Sequence, residues 1–167
     1  GCALLVAHAL YKAALFMVVG IIDHHTHSRD LRVLGGFGPG WRPTIVVATI
    51  SAASMAGLMP LAGFISKEAA LEAVVHGDAL TKVALVGIVL GSILTVAYSI
   101  RFVWGAFAAK PTGTASAPVA ASADPPSVWF LAPAALLAAI TVLLGVWTGV
   151  YSEFVRVAAL AVDPAAK

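Results

Sequence analysis

The chain is poor in charge. Lys, Arg, Asp and Glu make up 11% of its 167 residues, and 60% are hydrophobic. A soluble domain carries roughly 25% charged residues, so this composition, with a mean hydropathy of +0.97, excludes an ordinary soluble globule and points to a membrane protein. The net charge is only +2 and the basic residues form no single run, which gives nucleic acid nothing to bind. One cysteine, Cys2, rules out an intrachain disulfide and a cysteine metal cluster. The N-terminus lacks an initiator Met and a basic region ahead of its apolar run, so it does not read as a signal peptide. "GCALLVAHALYK" opens inside a hydrophobic segment, and the chain reads as a piece of a longer polypeptide. No internal repeat stands out. "GGFGPG" follows no strand and leads to no Lys-Ser/Thr pair, so a phosphate-binding loop is excluded.

What remains is long apolar runs with sharp punctuation. A membrane helix needs about 20 mostly apolar residues to cross a core of roughly 30 Å. Residues 1–108 form a membrane segment with expected helices over 3–22, 43–59, 61–77 and 80–108. Between the first two, "DHHTHSRDLRVLGGFGPGWR" concentrates charge and glycine and reads as a loop. Pro43 suits the first turn of the next helix. Gly57, Pro60 and Gly63 cluster in "GLMPLAGF" and break or kink the helical run. Gly77 is the expected stop and Asp78 the expected N-cap that follows. Residues 109–126, rich in Pro and small residues, read as a flexible linker. The remainder, 127–167, holds one more span, from Val128 to about Tyr151 with Pro133 in its first third, and a short amphipathic tail. The expected fold is an all-α integral membrane protein of about five transmembrane helices with a broken helix near Lys67. A four-segment count merges the second and third helices and leaves Lys67 near a membrane surface.

The few charges inside these runs are the candidates for function. In "HALYKAALF", His8 and Lys12 are one helical turn apart on one face. Lys12 is the tenth residue of its expected span, near the bilayer centre, where a lysine costs about 2.5–3.5 kcal/mol. It must face the protein interior and find a partner or give up its proton. With His8, which titrates near neutrality by default, it makes a proton relay; the alternative is a lysine that only locks two helices together. Lys67 follows the Pro60 break, where irregular backbone lines ion or water paths. Its alternative is a surface lysine paired with Glu68 or Glu72, two acids that either line an exit or form a solvated turn. Asp23, His24, His25 and His27 invite a metal, but nothing else supplies a ligand shell, and contact with polar headgroups accounts for them. Arg101 stands near the end of its helix, where a long side chain reaches headgroups, and is read as structural together with Gly57, Pro60 and Gly63.

Four stretches, "HALYKAALFMVVGIIDH", "RDLRVLGG", "SMAGLMPLAGFISKEAAL" and "AYSIRFVWGAF", resemble the antiporter-like membrane subunits. That family is shared by the Mrp multisubunit sodium/proton antiporters and the proton-pumping subunits of NADH–quinone oxidoreductase. "VVGIIDH" and the "SRD" that follows look most like the A-subunit branch of the Mrp antiporters. The resemblance is close over residues 1–108 and weak beyond. The His-x-x-x-Lys and "AGFxSKE" patterns, with lysines 55 residues apart, are specific as a pair. The chain departs from the family pattern at His25 and His27, where Glu and Gly are usual, and at Met59, where Pro is usual.

The resemblance implies two inverted repeats of five helices, each with a broken helix, of which this chain resembles the end of the second. It implies that Lys12 lies on a central hydrophilic axis near His8 and that Lys67 lies at the break near a proton exit. The expected function is therefore part of a monovalent cation/proton antiporter subunit in the cell membrane, carrying protons along a hydrated axis through His8, Lys12 and Lys67. Partners would be other membrane subunits, protons, sodium and lipid. No cofactor, metal or covalent catalysis is implied. Two other readings stand beside it: a proton-translocating subunit of a quinone oxidoreductase, and a truncated chain with a structural or assembly role.

Overall fold

A computed structural model describes residues 2–75, 79–109 and 123–162. The helices are α1 (Cys2–Thr26), α2 (Arg42–Ala56), α3 (Ala62–Val75), α4 (Ala79–Phe107), α5 (Val128–Val146) and α6 (Thr148–Val162), with a short 3-10 turn over Pro39–Trp41 before α2. Gly77, Asp78 and most of the expected linker lie outside the described residues.

The ends of these helices follow from local chemistry. α1 runs four residues past Ile22 and absorbs the start of "DHHTH", which the sequence reading assigned to a loop. Polar side chains in that last turn fold back on carbonyls one turn earlier, which the helix also uses. The His25 Nδ1 hydrogen bonds to the Ile21 carbonyl at 2.9 Å and the Thr26 hydroxyl donates to the Ile22 carbonyl at 2.7 Å. α2 starts with Pro43 in its first turn and stops at Gly57, whose φ of 84° is left-handed. The Gly57 amide donates to Ala53 and Ser54, and the Leu58 amide to Ala53, which satisfies the last carbonyls of the helix. α2 thus ends at Ala56, three residues before the expected end at 59. A turn containing a cis Met59–Pro60 peptide leads into α3. α5 opens on Ser127, whose side chain accepts from the Phe130 amide, and ends at Val146. The expected span to Tyr151 is therefore two helices, separated at Trp147, whose ψ of 70° leaves the helical region.

Among the described residues three helices are long and apolar enough to cross a membrane: α1, α4 from Thr81 to Phe107, and α5. α2 and α3 have 15 and 14 residues, about 22 and 21 Å of helix, so neither alone matches the membrane core. Five spans were expected, the second and third short and joined at Pro60; among the described residues α1, α4 and α5 are long, and α2 and α3 are short and follow one another. On α5 the exposed Trp129 and Trp147 flank the apolar stretch, about 27 Å apart along the axis, and indole rings favour the two membrane interfaces.

α1 is the central element. It packs on α5, α2 and α3, while α4 lies against α2 and α3. One core joins Val18, Ile21 and Ile22 of α1 to Trp41, Val47 and Leu131. The other joins Ala7, Tyr11 and Leu15 to Ala52, Met55 and Ala62. Small residues let backbones approach closely where α2, α3 and α5 meet. A side-chain carbon on Gly63 would collide with the Ser54 carbonyl, and one on Gly145 with Pro60 and Leu61. By contrast α4 is almost wholly exposed: Val83, Leu94 and Trp104 are among its uncovered apolar residues.

Candidate functional site

α1 carries Lys12 as the eleventh of its 25 residues, about 15 Å from its N-terminal end and 21 Å from its C-terminal end. Ala7, Tyr11, Ala14, Leu15 and Val18 form the buried stripe of α1, and Lys12 lies beside that stripe, half-buried. Its ammonium stands over the Tyr98 ring of α4, 5.6 Å from the centroid, within the roughly 6 Å at which a cation is attracted to an aromatic face. The two face a cavity of about 160 Å³ whose other walls are Leu15, Phe16, Val19, Met55 and Phe102.

His8 lies one turn away but does not share this environment. It is exposed, and its Nδ1 is 3.1 Å from the Tyr11 hydroxyl, with the two rings tilted at 5.3 Å. Each member of the His-x-x-x-Lys pair therefore engages a tyrosine. The Tyr98 hydroxyl donates to the Met55 sulfur at 3.0 Å. Tyr11, Met55 and Tyr98 were not picked out in the sequence. Tyr11 sits between His8 and Lys12 in the motif, a signal that was available. Tyr98 is 43 residues from Met55, and no local pattern links them.

The second lysine is held differently. Lys67 is half-buried, and its ammonium donates to the Ala56 carbonyl at 3.1 Å. Ala56 is the last residue of α2, so Lys67 caps the negative end of that helix. Gly57 makes room: a Cβ there would lie 2.8 Å from Lys67 Cδ. Nearby, the Ser54 hydroxyl accepts from the Gly63 amide at 3.2 Å, and Ser66 donates to the Gly63 carbonyl at 3.0 Å. Glu68 and Glu72 are exposed, and Lys67 turns to Ala56 rather than to either of them. Arg101 is exposed on α4.

Along α2, Thr44, Ser51 and Ser54 are all fully buried. The hydroxyls of Thr44 and Ser51 have no hydrogen-bond partner among the described residues, a state that costs free energy unless water or another group answers it.

"DHHTH" forms an aromatic patch. His24 and His25 both meet Phe130, at 5.4 and 5.8 Å, and His25 meets Trp41 edge-on at 5.5 Å. Among the described residues no three His, Cys, Asp or Glu side chains converge as metal ligands. In the loop beyond, Arg29 pairs with Asp23 at 2.6 Å and Arg32 with Asp30 at 2.8 Å. Both arginines are exposed, so these pairs order the loop more than they stabilise the fold.

Comparison with known proteins agrees with this architecture. Residues 2–95 match the family described as NADH:quinone oxidoreductase/Mrp antiporter, TM. The Na(+)/H(+) antiporter subunit A1 of Staphylococcus haemolyticus is 36% identical over 157 residues, 89% of this chain and 19% of the relative. The Staphylococcus aureus subunit of the same name is 33% identical over 160 residues, with the same coverage. The solved Mrp complex from Dietzia sp. contains a chain that superposes with a TM-score of 0.72 at 34% identity, covering 93% of this chain and 16% of that one. The chain thus spans about a fifth of the length of the curated relatives it matches. It is a multi-pass membrane protein, similar to part of an Mrp A subunit, and it belongs to the NADH:quinone oxidoreductase/Mrp antiporter transmembrane family.

Proposed function

We propose that the chain is part of a cation/proton antiporter subunit and that Lys12 and Lys67, with His8 at one end, carry protons along a hydrated axis of that subunit. The observation that carries this reading is the setting of Lys12. It is a half-buried cation near the middle of a membrane helix, held over an aromatic face. An ammonium paired with a carboxylate leaves an unpaired anion when it loses its proton. One held over a ring leaves only a neutral ring, so it can release and regain a proton at lower cost. Lys67 has the same property in another form. A neutral amine still donates a hydrogen bond, so its contact with the Ala56 carbonyl survives loss of the proton. The hydroxyls of Thr44 and Ser51, without a partner among the described residues, are what a water-lined path beside α2 would satisfy.

In this reading α2 and α3 are one broken membrane helix, and the turn at 57–61 is the break that Lys67 serves. The helices end there with capped backbone, as irregular backbone at membrane depth must. Glu68 and Glu72, exposed on α3, would in this reading serve an exit rather than the path itself. The relatives named above are antiporter subunits, which supports exchange of sodium for protons, with other membrane subunits as partners, over quinone-linked pumping.

The test is Lys12→Ala in the complete subunit within the assembled complex. Sodium/proton exchange in vesicles holding equal amounts of complex should fall to background while assembly is retained. Exchange at the wild-type rate would remove Lys12 from the mechanism.

A further inference from the structure

Lys12 and Lys67 belong to different helices, α1 and α3. Tyr98 of α4 touches both regions. Its ring lies under the Lys12 ammonium at 5.6 Å. Its hydroxyl donates to the sulfur of Met55 at 3.0 Å. Met55 is buried and immediately precedes Ala56, whose carbonyl receives the Lys67 ammonium. One side chain from a third helix thus bridges the two cation sites.

We propose that Tyr98 is the positioning residue for Lys12: its ring holds the ammonium on the axis, and its hydroxyl fixes the ring to the end of α2. The inference rests on the reading that Lys12 carries protons. Two geometric features favour it over plain packing. The open cavity that Lys12 faces is lined by Phe16 and Phe102 as well as Tyr98, yet the ammonium stands over the tyrosine. The tyrosine ring is in turn pinned by a hydrogen bond to a residue 43 positions away, so it cannot swing aside without breaking that contact. Tyr98 does not itself carry the proton in this scheme. It sets where the ammonium rests, and a shift in the C-terminal turn of α2 moves that ring through Met55.

The experiment uses the complete subunit in its complex, with Lys12→Ala measured in parallel. Tyr98→Leu should lower exchange about tenfold, the loss expected for a partly desolvated cation–ring contact, with the amount of assembled complex unchanged. Tyr98→Phe keeps the ring but loses the bond to Met55, and should fall between wild type and Leu; wild-type exchange in Phe would remove the Met55 link from the proposal. Phenylalanines carrying one, two and three fluorines at position 98 keep the shape while draining the negative face of the ring. Exchange should fall stepwise along that series, a signature that packing alone does not produce. If Tyr98→Leu does not assemble, the fluorinated series decides. A flat series beside an inactive Lys12→Ala overturns the role of Tyr98 alone. Wild-type exchange in Lys12→Ala overturns the reading beneath it.

Discussion

The two lysines are held by opposite means. Lys12 rests on side chains: a ring from α4, itself tied to a sulfur on α2. Lys67 rests on backbone: the last carbonyl of α2, with a left-handed glycine leaving room for its stem. A side-chain cradle is sensitive to the identity of residues far apart in the chain. A backbone cradle is sensitive to the residues that let the backbone take its path, which here are glycines. The same cation is therefore predicted to fail by different substitutions at the two sites.

The largest effect on this contrast is expected at Lys67 itself. Lys67→Arg keeps the charge and a donor, but a guanidinium does not give up its proton, so exchange should fall nearly as far as in Lys67→Ala. Vesicle flux compares the two variants, and a fully active Arg variant would make Lys67 a structural cap only. Next is Gly63→Ala, whose added carbon would meet the Ser54 carbonyl. Overpacking of this kind costs about 1–3 kcal/mol, so the thermal midpoint of the complex should drop and Lys67 should lose its register against α2. An unchanged midpoint would show that α3 can slide without penalty. Gly57→Ala is predicted to be milder. Its φ of 84° costs an alanine about 1–2 kcal/mol, and the new carbon crowds Lys67 Cδ. Exchange should fall while Gly57→Asn, which tolerates this backbone better, retains more; equal activity in Ala and Asn would detach the glycine from the lysine. The smallest effect is expected at Arg101. It is exposed on α4, and Arg101→Lys should keep most transport. A loss as severe as that of Lys12→Ala would place Arg101 on the path.

Several local features were legible in the residues. Pro43 at the start of α2 and Gly57 at its end act through their own backbone, so their neighbours matter little. The long apolar runs marked α1, α4 and α5 because crossing a membrane is a demand on length and composition alone. The stretch "DHHTH" was misread as a loop because charge and histidine mark loops on average. Here the helix continues to Thr26, and the polar side chains fold back on the carbonyls of Ile21 and Ile22. The span expected to reach Tyr151 was too long for a related reason: its apolar composition continues past Val146, and only the backbone at Trp147 divides it.

Composition and spacing mark the chain as a helical membrane protein, with one lysine near mid-helix one turn from a histidine and a second after a Pro–Gly interruption. These are one-dimensional facts, set by hydropathy, by helical period and by residues that cannot continue a helix. What each lysine meets follows from how the helices pack. Tyr98 comes under Lys12 because α4 packs beside α2, and Ala56 comes to Lys67 because a glycine against Ser54 lets α3 lie close to the end of α2. Contacts of that kind depend on interhelical packing of small residues across long separations, and no periodicity in a single chain encodes which helix will be the neighbour.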